Sequence, residues 1–303
     1  MTDDWYSHVD GEIVPAEEAT VNVRDRGFAY GDAAFETLRA YGGEVFAWDA
    51  HADRLEQTCE TLGFAEAIPP REDLRERIEE TLAANDLADA YVKLSITRGV
   101  QPGKLTPEPR VDPTIVVTVS ELPRGGVDGT PVHDGPATVV TVDRRRVPDA
   151  AIPADAKTHN YLNGILARLD LRRGGEGADS GPADEPTADE ALLLDEGGSL
   201  TEGATSNLFF VADGVLHTPS TDLPILPGVT RSIVLELART EGLPVEEGFY
   251  RPERLRSADE AFLTNTTWEV RPVETIDGEA VGGGPITELL GRLYDRRVER
   301  TCY

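Results

Sequence analysis

Lysine is scarce in this chain: of 303 residues only Lys93, Lys104 and Lys157 are lysine, and nearly all the positive charge is arginine. An amine can lose its proton and attack a carbonyl, which a guanidinium cannot, so a retained lysine is a candidate nucleophile or Schiff-base former. Lys157 stands in PADAKTHNYLNGILARLDL, after a proline-containing loop and at the expected mouth of a helix. A helix N-terminus and burial both disfavour the charged form of an amine. Taken alone, this context also describes an ordinary surface lysine. Tyr161 lies four residues on, which on a helix is the same face one turn along; a core aromatic is the plainer reading. Gly228-Val229-Thr230 precedes a second helical pattern, so its N–H groups and the Thr230 hydroxyl can cradle an anion at the positive end of a helix dipole. By itself such a triplet is usually a simple N-cap.

Other chemistries find less support. The histidines at 8, 51, 133, 159 and 217 show no metal-ligand spacing, so no metal is expected. No Gly-rich phosphate loop of the nucleotide-binding kinds occurs, and Gly282-Gly283-Gly284 reads as a hairpin or loop. Cys59 and Cys302 are too few for a disulfide framework or zinc site. The run Arg144-Arg145-Arg146 reads as pairing with carboxylates at a subunit or domain surface, with recruitment of an anionic substrate as the alternative.

The balance of 56 acidic against 29 basic residues gives a net charge of -27, which repels nucleic acid and anionic lipid. Neither is expected as a partner. An acidic, lysine-poor surface suits a protein hydrated at high salt, so a halophilic source is expected. No apolar run approaches the roughly 20 residues that span a membrane, and the start, MTDDWYSHVDGEIV, lacks a secretory pattern. A cytoplasmic protein is expected.

The elements that must position these residues alternate in type. Ile13-Val14 and Val21-Asn22-Val23 read as strands, and Asp32 to Arg39 as a turn entering a strand. Trp48 to Leu62 and Arg71 to Ala84 read as helices, the second with Leu74, Ile78 and Leu82 at spacing of four and a Pro69-Pro70 entry. Strands are expected at Tyr91 to Thr97, Thr114 to Val119, Thr138 to Val142, Ala191 to Leu194, Leu208 to Val211 and Ala261 to Leu263. Helices are expected at Asn160 to Arg172 and Thr230 to Glu241. Length and composition suggest two domains: 1–120 as a small N-terminal α/β domain, 121–130 as a Gly/Pro-rich linker, and 131–303 as a larger domain. Residues 174–190 read as a solvated acidic surface insertion.

Four runs carry a resemblance. DRGFAYGDAAFETLRAYGGEVFAWDAHADRL, DEGGSLTEGATSNLFFVADGVLHTP with ILPGVTRSIVLELA, and ADEAFLTNTTWEVRPVETIDG keep, in order, the motifs of class IV aminotransferases. The chain thus resembles that superfamily of pyridoxal 5′-phosphate (PLP) enzymes of fold type IV over almost its whole length. The resemblance implies an α+β, two-domain fold like that of D-amino acid aminotransferases. In it a small α/β domain and a larger, β-barrel-like C-terminal domain with helices enclose the cofactor, and a homodimer completes the substrate pockets. It implies Lys157 as the Schiff-base and proton-moving lysine, and Glu202, in LTEGATSN, as the carboxylate on the pyridine nitrogen. Arg54, Val229, Thr230 and Thr266 are implied around the phosphate, Tyr161 on the phenolic oxygen, and Asn207 as a polar wall.

The reaction within the superfamily turns on the substrate side, where Tyr30, Arg39, Lys93, Arg98, Lys104 and Asn265 are the candidates. Branched-chain aminotransferases carry tyrosine five residues after the lysine and a Tyr-x-Arg on the carboxylate strand; here the spacing is four and the strand reads Tyr91-Val92-Lys93. D-amino acid transaminases have an Arg-x-His after Thr-Arg-Gly, and neither residue follows Thr97-Arg98-Gly99 here. Aminodeoxychorismate lyases are more similar at Lys93, Arg98-Gly99 and Asn265, although their Gly-Gly-Arg is absent. The favoured expectation is therefore 4-amino-4-deoxychorismate lyase, releasing 4-aminobenzoate and pyruvate. The alternative is an aminotransferase between a branched-chain-like amino acid and 2-oxoglutarate, and the third reading is a non-catalytic PLP-binding protein.

Overall fold

The computed structural model describes residues 5–126, 129–130, 132–172 and 188–303. Its contacts form two units. One comprises residues up to Arg124 with Ala156–Asn160 and Val298–Tyr303; the other comprises Gly125–Asp155 and Tyr161–Arg297.

The first unit contains β1 (Tyr6–Val9), β2 (Glu12–Pro15), α1 (Arg26–Tyr30), β3 (Ala33–Tyr41), β4 (Glu44–Val45), α2 (Trp48–Leu62), α3 (Arg71–Ala84), β5 (Ala90–Thr97) and β6 (Ile115–Glu121). Its strands form an antiparallel sheet in the order β2-β1-β6-β5-β3-β4. Leu55 and Cys59 of α2 and Leu74, Ile78 and Leu82 of α3 pack on Leu38, Val92, Leu94 and Val117 of the sheet. Both helices run over the residues that their periodicity predicts. Gly63 stops α2 at φ 74°, its N–H donating to the carbonyls of Cys59 and Glu60, a conformation glycine takes at little cost.

The period of two along β3 sorts its side chains. Leu38 and Glu36 face the helices; Phe35 and Thr37 face the other way, opposite Ser95 and Lys93 of β5. Residues 21–23 are not the expected strand. Val21 and Val23 are exposed, the Asn22 side chain accepts the Arg24 N–H at 2.9 Å and its carbonyl accepts the Asp25 N–H at 2.8 Å. This local turn outcompetes the β-branched pair and leads into α1, which the Asp25 carboxylate caps.

The second unit contains β7 (Ala137–Arg145), α4 (Leu162–Arg172), β8 (Glu190–Leu194), β9 (Leu200–Gly203), β10 (Asn207–Ala212), β11 (Val215–Pro219), α5 (Val229–Thr240) and β12 (Val245–Gly248). It continues with α6 (Pro252–Arg256), β13 (Glu260–Asn265), β14 (Glu269–Ile276), β15 (Glu279–Ala280) and α7 (Pro285–Cys302), whose last residues are counted with the first unit. The strand order is β12-β11-β10-β13-β14-β7-β8-β9, with β15 beside β14. The β11–β12, β14–β7 and β7–β8 pairs are parallel and the others antiparallel. β9, at one end, also approaches β10 and β11, so the sheet curls back toward a barrel. The class is α+β, as expected.

Most of the segment read as an acidic insertion lies outside the described residues. Its last residue is a correction: Glu190 is wholly buried in β8, where its carboxylate accepts from Thr205 N–H, Thr205 Oγ1 and Ser206 Oγ at 2.6–3.1 Å. With the Ala191 N–H at 3.0 Å and Arg168 at 3.4 Å, the one cation among these five donors, they offset the cost of burying this charge. Among the described residues no helix is long and apolar enough to cross a membrane.

Candidate active site

Lys157 does not open a helix. Residues 157–159 run alongside the first half of β3: Phe35 N–H donates to the Lys157 carbonyl at 3.0 Å, His159 N–H to the Ala33 carbonyl at 3.0 Å, and Thr158 bridges Ala34. The helix waits until Leu162, so the expected one-turn relation to Tyr161 does not arise; non-local pairing with a strand outweighs local helix propensity here. The Lys157 N–H donates to Thr58 Oγ1 at 3.0 Å, so both sides of this residue's main chain are clamped. Its amine lies over the Phe35 ring, 4.3 Å from the centroid.

Lys93 shares that ring, at 5.0 Å. Half-burial, and then the charge of Lys157, lower the Lys93 amine from its ordinary value. His159 meets Phe35 edge-on at 5.5 Å and lies 3.2 Å from Ser95 Oγ. Burial, followed by the charge of Lys93, keeps this imidazole toward its neutral form.

On the other face of β3, Glu36 receives Arg54. Nε and Nη2 of the guanidinium donate to the two carboxylate oxygens at 2.8 and 2.6 Å, and His51 Nδ1 lies 2.8 Å from Oε2. Burial would raise the Glu36 carboxyl, but the charge and hydrogen bonds of Arg54, with those of His51, hold it down at about 2. Burial outweighs the pull of Glu36 on His51 and lowers that ring, so at neutral pH it is uncharged and donates from Nδ1.

In the second unit, Glu202 on β9 is buried. Its Oε1 accepts from Arg146 Nε at 2.8 Å; its Oε2 accepts from Leu226 N–H at 2.9 Å and Asn207 Nδ2 at 3.3 Å. Asn207 also donates to the Leu226 carbonyl at 2.9 Å. Gly228 precedes α5 as its N-cap, and a Cβ there would stand 2.1 Å from Asn207 Oδ1, so any other residue must displace that side chain. Gly228 has no side chain to cap α5, whose leading N–H groups point away from the helix body, and Thr230 is buried at that end. Thr266 lies half-buried in the turn between β13 and β14.

The substrate candidates are placed unevenly. Arg98 is buried, donating to Asp32 at 2.8 Å and to the Leu62 carbonyl, with its guanidinium over Phe64. Arg39 is buried over the Tyr41 ring. Asn265 donates to the Thr205 carbonyl at 3.2 Å and accepts the Trp268 N–H at 2.6 Å, bracing the β13–β14 turn. Tyr30 is exposed under Arg26, and the Lys104 carbonyl accepts from Arg26. Sequence reasoning missed Glu36, His51, Thr58 and Arg146 as partners of the site. One signal was available: His51, Arg54 and Thr58 recur at the helical spacing of three and four among the apolar residues of α2. Within the arginine run, Arg144 does pair with a surface carboxylate, Asp170, whereas Arg146 pairs with buried Glu202.

The amino-transferase class IV family matches residues 33–276, which include every residue of both clusters. The chain belongs to this family. It is 36% identical over 291 residues to a protein of Methanocaldococcus jannaschii named as a putative branched-chain-amino-acid aminotransferase, covering 95% of this chain and 94% of that one. A D-alanine aminotransferase of Listeria monocytogenes is 33% identical over 97% of this chain and 96% of its own length. An aminodeoxychorismate lyase of Bacillus subtilis is 31% identical over 98% and 96%. The branched-chain aminotransferase of Thermoproteus uzoniensis, solved with norvaline, superposes with a TM-score of 0.85 at 30% identity, over 97% of this chain and 94% of the other.

Proposed function

We propose that this chain is a PLP-dependent aminotransferase that moves an amino group between an aliphatic amino acid and a 2-oxo acid. The observation that carries the reading is the setting of Lys157: main chain held by Phe35 and Thr58, amine over an aromatic face beside a second amine. A nucleophile fixed in this way keeps its reach and direction through repeated bond making and breaking.

The residues fit the cofactor. Glu202 is an anion braced from Arg146 and Leu226, suited to hold a protonated pyridine nitrogen. The start of α5 with Thr230 in the second unit, and the Arg54 guanidinium in the first, are each donors of the kind a phosphate takes. When bound, PLP supplies a ring that accepts the electrons of a breaking Cα–H bond. Lys157 is the base that would take the proton from the substrate Cα and return it two atoms along, across the amino nitrogen, which is the transfer that distinguishes amino transfer.

Aminodeoxychorismate lyase is the second reading, and half-buried Lys93 favours it, since a dicarboxylate would hold that amine in its charged form against the burial that lowers it. Two of the three points that favoured it have structural explanations: Arg98 is bound to Asp32 and Leu62, and Asn265 braces a turn. Gly99 likewise answers to the fold, since at φ 82° a Cβ would strike the Asp112 carbonyl. The names of the M. jannaschii and T. uzoniensis relatives support an aliphatic amino acid as donor. Purified enzyme given PLP, branched-chain amino acids and 2-oxoglutarate should form glutamate and the matching oxo acids. Release of 4-aminobenzoate from aminodeoxychorismate, without amino transfer, would replace this reading by the lyase.

A further inference from the structure

Glu36 is wholly enclosed, yet it is ionised and bound to an arginine that is itself mostly buried. Burying an ion pair gains little stability over apolar packing, because desolvation of both ions offsets their attraction. What such a pair does supply is direction. Glu36 grips the guanidinium along its Nε–Nη2 edge with two hydrogen bonds, at 2.8 and 2.6 Å, and so fixes the plane of the fork and the heading of its Nη1 side. His51, one turn before Arg54 on α2 and uncharged, holds the Glu36 Oε2 at 2.8 Å and keeps the carboxylate from rotating.

The same frame holds the candidate nucleophile. Thr58 Oγ1 donates to the Arg54 carbonyl at 2.9 Å and accepts the Lys157 N–H at 3.0 Å. Phe35 and Glu36 are neighbours on β3; the first holds the Lys157 main chain and the second the Arg54 side chain. One strand and one helix therefore set the position of the amine and the orientation of the guanidinium together.

We infer that Glu36 and His51 are positioning residues that hold Arg54 as a pre-oriented fork for the phosphate monoester of the cofactor. This rests on the PLP reading above. A fork already aligned loses less freedom when the phosphate arrives, so the contribution falls on the phosphate-dependent part of cofactor affinity. The aldehyde-dependent part, which belongs to Lys157, is untouched.

The test compares PLP with pyridoxal, which lacks the phosphate, by equilibrium binding to the apoprotein. Wild type should prefer PLP. Glu36→Gln should lose roughly ten- to a hundredfold of that preference while binding pyridoxal as wild type does. Arg54→Met should lose at least as much, and Glu36→Gln should have no further effect on the preference in the Arg54→Met background. His51→Ala should show the same selective loss at smaller size, and it carries the test if Glu36→Gln does not fold. Glu36→Gln or His51→Ala lowering PLP and pyridoxal affinity equally, or leaving the preference intact, would overturn the inference alone. A wild type with no preference for PLP would overturn it together with the cofactor reading.

Discussion

His51 and Glu36 titrate against each other's environment, and the signs give a pH dependence for stability. The folded His51 is held below its ordinary value of 6.5, chiefly by burial, so it contributes stability that is complete above that pH and declines as the pH falls below it. The folded Glu36 is held at about 2 against an ordinary 4.5, so its contribution is complete above 4.5 and is lost as the pH falls toward 2. Urea unfolding midpoints should therefore fall less steeply just below pH 6.5 in His51→Gln than in wild type, the substitution having removed one proton uptake on unfolding. Parallel midpoints for the two proteins through that window would mean that His51 is not buried neutral. Neither residue was legible as a pair, because Glu36 and Arg54 are brought together by packing of α2 on β3 and not by local spacing. Glu202 and Lys157 were singled out through the motifs around them, but Arg146, far off in sequence, was read as pairing with carboxylates at a subunit or domain surface, whereas it pairs with buried Glu202.

Element boundaries were legible where punctuation and periodicity agree. The α2 and α3 bounds follow from apolar spacing, a proline entry and a glycine stop, all of which act locally. The helix expected from Asn160 begins at Leu162; what was not legible is that residues 157–159 before it pair with β3, because a single sequence shows nothing of that partner. The beginning of α5 makes its own prediction. Gly228→Ala would drive a methyl into Asn207 Oδ1, and overpacking of this kind costs about 1–3 kcal/mol. Because Asn207 also holds Glu202 and Leu226, the variant should lose PLP affinity as well as thermal stability. Unchanged cofactor binding in a destabilised Gly228→Ala protein would separate this helix start from the cofactor site.

At the scale of the whole chain, 56 carboxylates against 29 cations leave a net charge of -27, and that repulsion is screened only by salt. Ion pairs such as Arg71 with Glu56 and Arg75 with Glu79 offset little of it, since solvent screens exposed pairs and ordering two long side chains costs entropy. The unfolding temperature should rise steadily from about 0.1 M to several molar KCl, where the Debye length shrinks from about 10 Å to below 3 Å. A midpoint that is flat or falls with KCl would remove the halophilic expectation without touching the site. The central claim is that Lys157 carries the cofactor. Borohydride reduction of the PLP-loaded protein, followed by proteolysis and mass mapping, should place a phosphopyridoxyl group on the peptide containing Lys157, and Lys157→Ala should take up none while keeping its far-ultraviolet spectrum. Label on Lys93 or Lys104 instead, or a protein that takes up no PLP at all, would contradict it.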